Sequence, residues 1–300
     1  MPPSVSVVLP VYNREHSIAR AIRSVLDQTY RDLELIVVDD GSTDGTRDVV
    51  RQFAPRLTLI EQEHAGAYAA RNRGIARARG ELIAFIDSDD AWLPEKLALQ
   101  VPLMRREEVG LVFGDTVHVT EPRDGAPRTG TTSFAVSPPR RERAAAHFAW
   151  GDFVPTCTVL VRRRCLDEIG GFPDAALGAD YLAWFRIALR HEIDFVDAVV
   201  AEYTVHAAGI SHDLGTSLAA RSRLFAEELE RTGDPAVKRV LRRLLFNLAL
   251  HRLLAAARGR GRGVREPMRV GLRAARLAAA PWTAAFALHQ MRVRARRLLG

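Results

Sequence analysis

The sequence predicts an α/β fold in which helices cover both faces of a mixed, mainly parallel sheet. Short apolar segments alternate with segments of helical periodicity through the first half of the chain. These apolar segments are continuous rather than alternating, which is typical of strands buried on both faces. Only helical patterns remain near the end, so we expect an α/β domain at residues 1–212 and a helical extension at residues 213–300.

Each predicted element has its own local signal. Apolar segments predict the first four strands, at residues 4–10, 33–39, 57–61 and 81–87. Helical patterns occur at residues 15–28, 67–80, 94–105 and 178–191, and a further helix begins within residues 43–54. Two more strands are predicted at residues 110–115 and 156–163, and a mobile loop rich in Pro, Gly, Thr and Arg at residues 121–143.

The charge of the chain is divided unevenly between its two parts. Residues 1–212 contain 24 Lys+Arg and 30 Asp+Glu, whereas residues 213–300 contain 19 and 6. A basic end on an acidic body indicates that the end meets an anionic surface. The 2 cysteines exclude a disulfide framework and a cysteine zinc site, and the N-terminus lacks a signal-peptide pattern. We therefore expect a cytoplasmic protein, soluble or peripheral on the inner face of a membrane.

The segment IAFIDSDD at residues 83–90 places three carboxylates, Asp87, Asp89 and Asp90, directly after a predicted strand. Carboxylates this close raise each other's pKa unless a cation lies between them. A solvated turn that caps the helix beginning near Pro94 would account for one of the three. Oxygen ligands at a ligand-binding edge instead favour a divalent cation, Mg²⁺ or Mn²⁺.

Other strand ends fall at the same edge of the predicted parallel sheet. Ligands of such sheets bind beyond the carboxyl ends of the strands. Tyr12, in PVYN, is either a core aromatic or a platform for a nucleobase. Asp39 and Asp40 open the turn VDDGSTDGT and could accept hydrogen bonds from a base or ribose. Arg71 is either a surface helix charge or a cation for a diphosphate or the nearby acids.

Taken in order, the motifs resemble those of the inverting family 2 glycosyltransferases, which have a GT-A fold. The motifs are PVYN, VDDGSTDGT, AARNRGIARARGELIAFIDSDD, GGFPD and GADYLAWFR. The resemblance covers residues 4–212, and the ordered set makes it specific. It implies a metal-dependent enzyme that moves a sugar from a nucleoside diphosphate, most simply a UDP-sugar, to a hydroxyl of a glycan or lipid-linked acceptor.

The resemblance also implies roles for individual residues. Nucleotide-sugar binding falls to Pro10, Tyr12, Asp39, Asp40, Arg71, Asp87 and Ser88. Metal binding falls to Asp87, Asp89 and His206, with Asp89 as the direct ligand. Among these, Tyr12 matches the base-stacking position and Asp40, with Asp39, the carboxylate that reads the base.

Asp180 matches the general base that inversion requires on the acceptor side. An acid in the first turn of a helix is also favoured by the helix dipole, and the two interpretations are compatible. Ala179 stands where the family usually has Glu, and Thr204 where it often has Arg. Trp184 is expected to pack, or to line the acceptor side.

Alternatives to this function remain open from the sequence. The missing Glu at 179 is compatible with a non-catalytic sugar-nucleotide-binding module, and a polyprenyl-phosphate glycosyltransferase would share the same motifs. Residues 238–300 contain 16 basic residues and a single acid, Glu266. Helices of this kind either pack on the core or bind anionic lipid, which would suit a membrane-surface adaptor as well as an enzyme. No recognised motif supports nucleic-acid binding.

Overall fold

The computed structural model describes residues 4–120, 130–139, 144–148, 154–174, 177–205 and 214–258. Its strands are β1 Val5–Val11, β2 Leu33–Asp39, β3 Thr58–Glu61, β4 Leu82–Phe85, β5 Ala91–Trp92, β6 Val109–Thr120, β7 Leu160–Arg162 and β8 Glu192–Val205. Its helices are α1 Ile18–Leu26, α2 Thr46–Arg51, α3 Ala67–Arg77, α4 Lys96–Gln100, α5 Ser133–Val136, α6 Ala144–His147, α7 Arg163–Ile169, α8 Ala179–Ala188, α9 Leu214–Arg231 and α10 Pro235–Arg258.

The strands form one eight-stranded sheet in the order β3-β2-β1-β4-β7-β6-β8-β5. The pairs β1/β2, β1/β4, β2/β3 and β6/β8 are parallel. β7 is antiparallel to both β4 and β6, and β5 is antiparallel to β8. The predicted mixed, mainly parallel sheet is therefore confirmed.

The second half of the sheet differs from the prediction in detail. β8, 14 residues long, was not predicted, because its sequence EIDFVDAVVAEYTV mixes charges with apolar residues. The strand predicted at residues 156–163 begins as a 3₁₀ turn, Thr156–Thr158, before β7. The helix predicted at residues 94–105 ends as α4 at Gln100 and continues as a 3₁₀ turn containing Pro102. Proline lacks the N–H that an α-helix would use there.

Burial explains why the first half was predictable. All seven residues of β1 are buried, as continuous apolar character requires of a central parallel strand. α1 buries Ile18, Ala21, Ile22 and Val25, the face given by its helical periodicity. Each fully buried side chain of this size contributes about 1.5–3 kcal/mol through removal of apolar surface from water.

α3 lies directly on β1, and a glycine makes the close approach possible. A Cβ atom at Gly74 would lie 2.4 Å from Cγ1 of Val8, too near for a side chain to be accommodated without movement. Because α3 follows β3, its first turn begins at the carboxyl edge of the sheet. The helix therefore carries its N-terminal residues to the edge where the site is expected.

Contacts within the chain separate two compact units, Met1–Asp213 and Leu214–Gly300. In the second unit, α9 and α10 pack against each other, and Leu218, Phe225, Leu241 and Leu244 are buried. Among the helices that the structure describes, none has both the length and the apolar character needed to cross a bilayer. The predicted loop is described only at residues 130–139, where α5 forms, and the basic end beyond residue 258 lies outside the described residues.

Candidate active site

Two acidic turns lie at the carboxyl edge of the sheet. Because β2, β1 and β4 are adjacent and parallel, the residues that follow them are brought together at this edge. We call residues 39–44, after β2, the first acidic turn, and residues 87–90, after β4, the second acidic turn. Tyr12 follows β1, between them.

Asp40, in the first acidic turn, is used by the protein itself. It is 2% exposed. Its Oδ1 accepts hydrogen bonds from Gln62 Nε2 at 2.7 Å and Ala65 N at 2.9 Å. Its Oδ2 accepts one from Gly66 N at 2.8 Å and lies 2.9 Å from His64 Nδ1. Asp40 thus fixes the segment that leads into α3, and both of its oxygens are engaged.

Asp39, its neighbour, is different. Oδ2 accepts a hydrogen bond from Ser42 N at 3.2 Å and pairs with Arg47 Nε at 3.1 Å. Oδ1 is buried without a hydrogen-bond partner, although the residue is only 1% exposed. An unsatisfied buried acceptor costs about 1–3 kcal/mol, so such an atom calls for an explanation. Asp39, unlike Asp40, therefore has a carboxylate oxygen that no hydrogen bond of the protein uses.

Tyr12 lies at this edge with a second ring on one of its faces. It is 40% exposed, and the His64 ring stacks on it with centroids 4.1 Å apart and 29° between planes. His64 Nδ1 also lies 3.1 Å from the main-chain oxygen of Asp40. The predicted stacking position therefore consists of two rings, of which the second was not anticipated from the sequence.

Asp87 and Asp89, in the second acidic turn, remain partly exposed. Asp87 Oδ1 forms an ion pair with Arg71 Nη2. Asp89 Oδ2 lies 3.9 Å from Arg14 Nε. Both carboxylates lie at the edge where a diphosphate or cation could reach them.

Asp90 is buried, and its side chain bonds to β8. Its Oδ1 accepts a hydrogen bond from Thr204 N at 2.8 Å, and Thr204 Oγ1 donates to the main-chain oxygen of Asp89 at 2.5 Å. Burial, followed by the charges of Asp87 and Asp89, raises the pKa of Asp90 well above its usual range. Asp90 fastens β8 to the turn and is not a metal-ligand candidate.

The remaining carboxylates fit a divalent cation only as part of a ligand set. Over the described ranges, no cluster of three His, Cys, Asp or Glu side chains is arranged to hold a metal. Mg²⁺ and Mn²⁺ commonly take one or two protein carboxylates, with phosphate oxygens and water completing the coordination. Asp87 and Asp89, both partly exposed in the second acidic turn, match that pattern. His206, the third predicted ligand, lies outside the described residues.

Arg71 lies between the second acidic turn and the aromatic residues beside it. Its guanidinium group is buried and packs on the rings of Tyr68, at 5.1 Å, and Phe172, at 5.8 Å. Burial alone would lower the pKa of Arg71, but the charge of Asp87, followed by that of Asp180, raises it overall. The arginine is therefore a fixed cation within the site.

Asp180 lies in the first turn of α8, which begins after Gly178 in the left-handed conformation. Its Oδ1 accepts hydrogen bonds from Tyr68 Oη at 3.0 Å and from Tyr181 N at 2.8 Å. Its Oδ2 accepts one from Thr156 Oγ1 at 2.9 Å. The helix N-terminus also favours a negative charge here.

The neighbours of Asp180 are buried. Ala179 has no exposed surface, so no carboxylate comes from the position where the family usually has Glu. Trp184 is buried as well, and its Nε1 donates to Thr156 Oγ1 at 3.3 Å, which agrees with the packing role expected for it. Pro10 pairs with Val38 inside the sheet, and the main-chain oxygen of Ser88 accepts a hydrogen bond from Ser17 Oγ at 2.9 Å.

The sequence interpretation did not single out His64, Tyr68 or Thr156. For Tyr68 a signal was present, because residues three apart on a helix lie on the same face, and Tyr68 is three residues before Arg71. For Thr156 and His64 no comparable signal exists, since the contacts of each come from distant parts of the chain.

Comparisons with known proteins agree on one family. A family model described as Glycosyl transferase family 2 matches residues 6–170. The Escherichia coli UDP-Glc:alpha-D-GlcNAc-diphosphoundecaprenol beta-1,3-glucosyltransferase WfaP is 30% identical over 260 residues, which cover 83% of this chain and 94% of that protein. An E. coli protein of the same described activity, WfgD, is 44% identical over 113 residues, which cover 37% of this chain and 45% of its own length. The chain spans 45% to 65% of the length of WfgD and a Nostoc glycosyltransferase that it also matches.

Solved structures show the same architecture. S. aureus TarS 1-349 in complex with UDP-GlcNAc superposes with a TM-score of 0.64 at 20% identity, covering 91% of this chain and 79% of that one. The mannosyltransferase PcManGT from Pyrobaculum calidifontis, in complex with GDP-Man and Mn²⁺, gives a TM-score of 0.62 at 24% identity, covering 99% and 87%. At these identities the likeness establishes the fold, which is GT-A, as predicted. With the family match and the relatives, it leads to one conclusion: the chain belongs to glycosyl transferase family 2.

Proposed function

We propose that this glycosyltransferase is a metal-dependent, inverting enzyme that moves a sugar from UDP to a hydroxyl group of a lipid-linked acceptor. The observation that carries the proposal is the position of Arg71 between two acids with different surroundings. It forms an ion pair with Asp87 and packs on Tyr68, whose hydroxyl donates to Asp180. A leaving diphosphate and an attacking hydroxyl need groups on opposite sides of one sugar, and this arrangement supplies both.

The nucleotide binds through the first acidic turn and the stacked rings. The unpartnered Oδ1 of Asp39 is an acceptor, so it selects a base with a ring N–H, as uracil and guanine have. The base lies against the rings of Tyr12 and His64. The complex of TarS with UDP-GlcNAc and the named activity of WfaP support UDP over GDP.

Asp87 and Asp89 would hold Mn²⁺ or Mg²⁺ together with the diphosphate. Both carboxylates are partly exposed, and Arg71 remains a cation beside them. The Mn²⁺ in the PcManGT complex supports the choice of ion. When bound, the metal supplies Lewis-acid stabilisation of the departing nucleoside diphosphate.

Asp180 takes the proton of the acceptor hydroxyl as general base. Its Oδ1 already accepts two hydrogen bonds, whereas its Oδ2 accepts one, from Thr156. A carboxylate oxygen accepts two hydrogen bonds readily, so Oδ2 is the oxygen with room for the acceptor. The retained contacts of Asp180 favour an active enzyme over a binding module despite Ala179.

The acceptor and the place of action follow from the relatives and the charge of the chain. WfgD and WfaP are named for an acceptor carried on diphosphoundecaprenol. Residues 213–300, with 19 basic and 6 acidic residues, would hold the enzyme on the anionic cytoplasmic face of a membrane near such an acceptor. Binding to phosphatidylglycerol vesicles that weakens with salt, and is lost on deletion of residues 264–300, is the expected result.

Calorimetry with UDP and GDP, each with and without Mn²⁺, tests the donor site. We expect UDP to bind more tightly with Mn²⁺, and Asp89→Asn to abolish that gain without unfolding the protein. Asp167→Asn, an exposed acid on α7, is the matched control and should bind as the parent does. Equal UDP affinity with and without Mn²⁺ in the parent would remove the metal from the proposal.

A further inference from the structure

Tyr68 connects α3 to the acid at the start of α8. Its hydroxyl donates to Asp180 Oδ1 at 3.0 Å, across a sequence separation of 112 residues. The main-chain N–H of Tyr181 donates to the same oxygen. Oδ1 is thereby filled, and the carboxylate is turned so that Oδ2 is the oxygen left for another donor.

The ring of Tyr68 has little freedom. One neighbour is the Arg71 guanidinium group, 5.1 Å from its centroid, and the other is the Phe172 ring, 5.6 Å away. Burial, followed by the charge of Asp180, raises the pKa of Tyr68 well above its usual range. The hydroxyl therefore keeps its proton and remains a donor to Asp180.

α3 is itself clamped to the segment before α8. Asn72 Nδ2 donates to the main-chain oxygen of Phe172 at 2.9 Å, and Phe172 N donates to Asn72 Oδ1 at 2.9 Å. Tyr68, Arg71 and Asn72 lie on one face of the helix. One rigid element thus holds Asp87 through Arg71, the segment before α8 through Asn72, and Asp180 through Tyr68.

We propose that Tyr68 is a positioning residue for the general base, holding the Asp180 carboxylate so that Oδ2 faces the acceptor hydroxyl. The inference rests on the proposed function, because it takes Asp180 to be the base. Tyr68 makes no contact with substrate in this role. It acts through the orientation of Asp180 alone.

Tyr68→Phe, which keeps the ring and removes only the hydroxyl, tests the inference. A misoriented reacting group costs on the order of 10–100-fold in rate, so we expect kcat for sugar transfer to fall by about that factor. The affinity for UDP with Mn²⁺, measured by calorimetry, should change by less than about twofold, since the base does not hold the donor. Tyr30→Phe is the matched control. It removes a hydroxyl that is hydrogen-bonded to Ser4, distant in the sequence from Tyr68, and should keep the parental kcat.

The same substitution in the Asp180→Asn background separates positioning from packing. If Tyr68 acts through the carboxylate, adding Tyr68→Phe to Asp180→Asn should lower the residual single-turnover rate, followed with radiolabelled donor, no further. An equal loss in both backgrounds, a parental kcat in Tyr68→Phe, or a fall in UDP affinity would each overturn the inference while leaving the proposed function intact. A folded parent that transfers no sugar from any donor would overturn the proposed function, and the inference with it.

Discussion

The two acidic turns at the carboxyl edge each contain three aspartates, and in each turn the carboxylates differ in their surroundings. In the first turn Asp40 is consumed by hydrogen bonds to the segment before α3, and Asp39 keeps a buried oxygen without a partner. In the second turn Asp90 Oδ1 bonds to β8 while its Oδ2 is also buried without a hydrogen-bond partner, and Asp87 and Asp89 stay partly exposed. In each turn one acid bonds to a distant segment of the chain, while another keeps an oxygen that is unpartnered or partly exposed. Identical side chains, one to three residues apart in the sequence, therefore have different surroundings.

The difference between the turns lies in what each structural acid fastens. Asp40 fixes the entry to α3, so it also sets the positions of Tyr68 and Arg71. Asp90 fixes the end of β8 at Thr204, close to the segment that continues to His206. Under the proposed function, the first turn would support the nucleotide and the general base, and the second the diphosphate.

The largest effect is expected outside both turns, at Asp180. If the turns bind the donor and Asp180 performs the proton transfer, Asp180→Asn should lower turnover by about 10²–10⁴-fold with little change in UDP affinity. Steady-state kinetics and calorimetry on the same preparation measure the two quantities. If Asp180→Asn turned over at the parental rate, the general base would be a different residue, and Asp180 would not perform the proton transfer.

Asp40→Ala tests whether Asp40 has a structural role in the first turn. This change leaves the N–H groups of Ala65 and Gly66 and the side chain of Gln62 without their acceptor. A buried donor left without its acceptor costs about 1–3 kcal/mol, and we expect the free energy of unfolding to decrease by at least that amount. Urea denaturation gives the value, and a loss below about 1 kcal/mol would contradict a structural role for Asp40.

Asp39→Asn is the counterpart. It replaces the free acceptor while leaving the shape of the side chain, so we expect UDP affinity to fall by about 1.5–3 kcal/mol. The free energy of unfolding should change by less than about 1 kcal/mol, in contrast to Asp40→Ala. Were calorimetry to find the parental affinity, the unpartnered oxygen would not be the one that contacts the base.

A buried lysine, Lys96, follows the second turn along the chain and begins α4. Lys96 Nζ donates to Gln100 Oε1 at 2.7 Å and lies 4.0 Å from the centroid of the Trp92 ring. Burial lowers the pKa of Lys96 to about 7. Above that pH the folded protein releases a proton that the unfolded chain keeps up to the ordinary lysine range near 10.5.

The free energy of unfolding should therefore rise between pH 7 and 9, with a slope of at most about 1.4 kcal/mol per pH unit. Above this window Cys157 adds an opposing trend, because burial and the charge of Asp90 raise the pKa of its thiol. Lys96→Met removes the charge and keeps most of the volume. Its urea-denaturation profile should have a smaller slope over the same window, and identical slopes would show that Lys96 is not the group responsible.

The sequence predicts the elements whose signal is local. The early strands and α1, α3 and α8 follow from continuous apolar segments and from helical periodicity. β8 was missed because its residues are partly exposed and its partner, β6, is far away along the chain. The antiparallel insertion of β7 between β4 and β6 leaves no trace in local composition.

The site shows the same limit at the level of single residues. The positions of Asp39, Asp87 and Asp180 at the carboxyl edge could be predicted from strand ends and motifs. The sequence does not predict that both oxygens of Asp40 are hydrogen-bonded within the protein, because its partners include main-chain groups about 25 residues away. The stacking of His64 on Tyr12 is likewise set by the path of a loop and not by spacing.

Gly74 has a consequence for how variants of this enzyme would be interpreted. It lies at the contact between α3 and β1, where an added methyl group would collide with Val8. The helix would have to rise from the sheet, and it would take Tyr68 and Arg71 with it. A screen of random substitutions scored by activity would therefore rank Gly74 with the residues of the active site, although it touches no ligand. Substitutions at a glycine that packs against the sheet would then be mistaken for changes in the chemistry of the site.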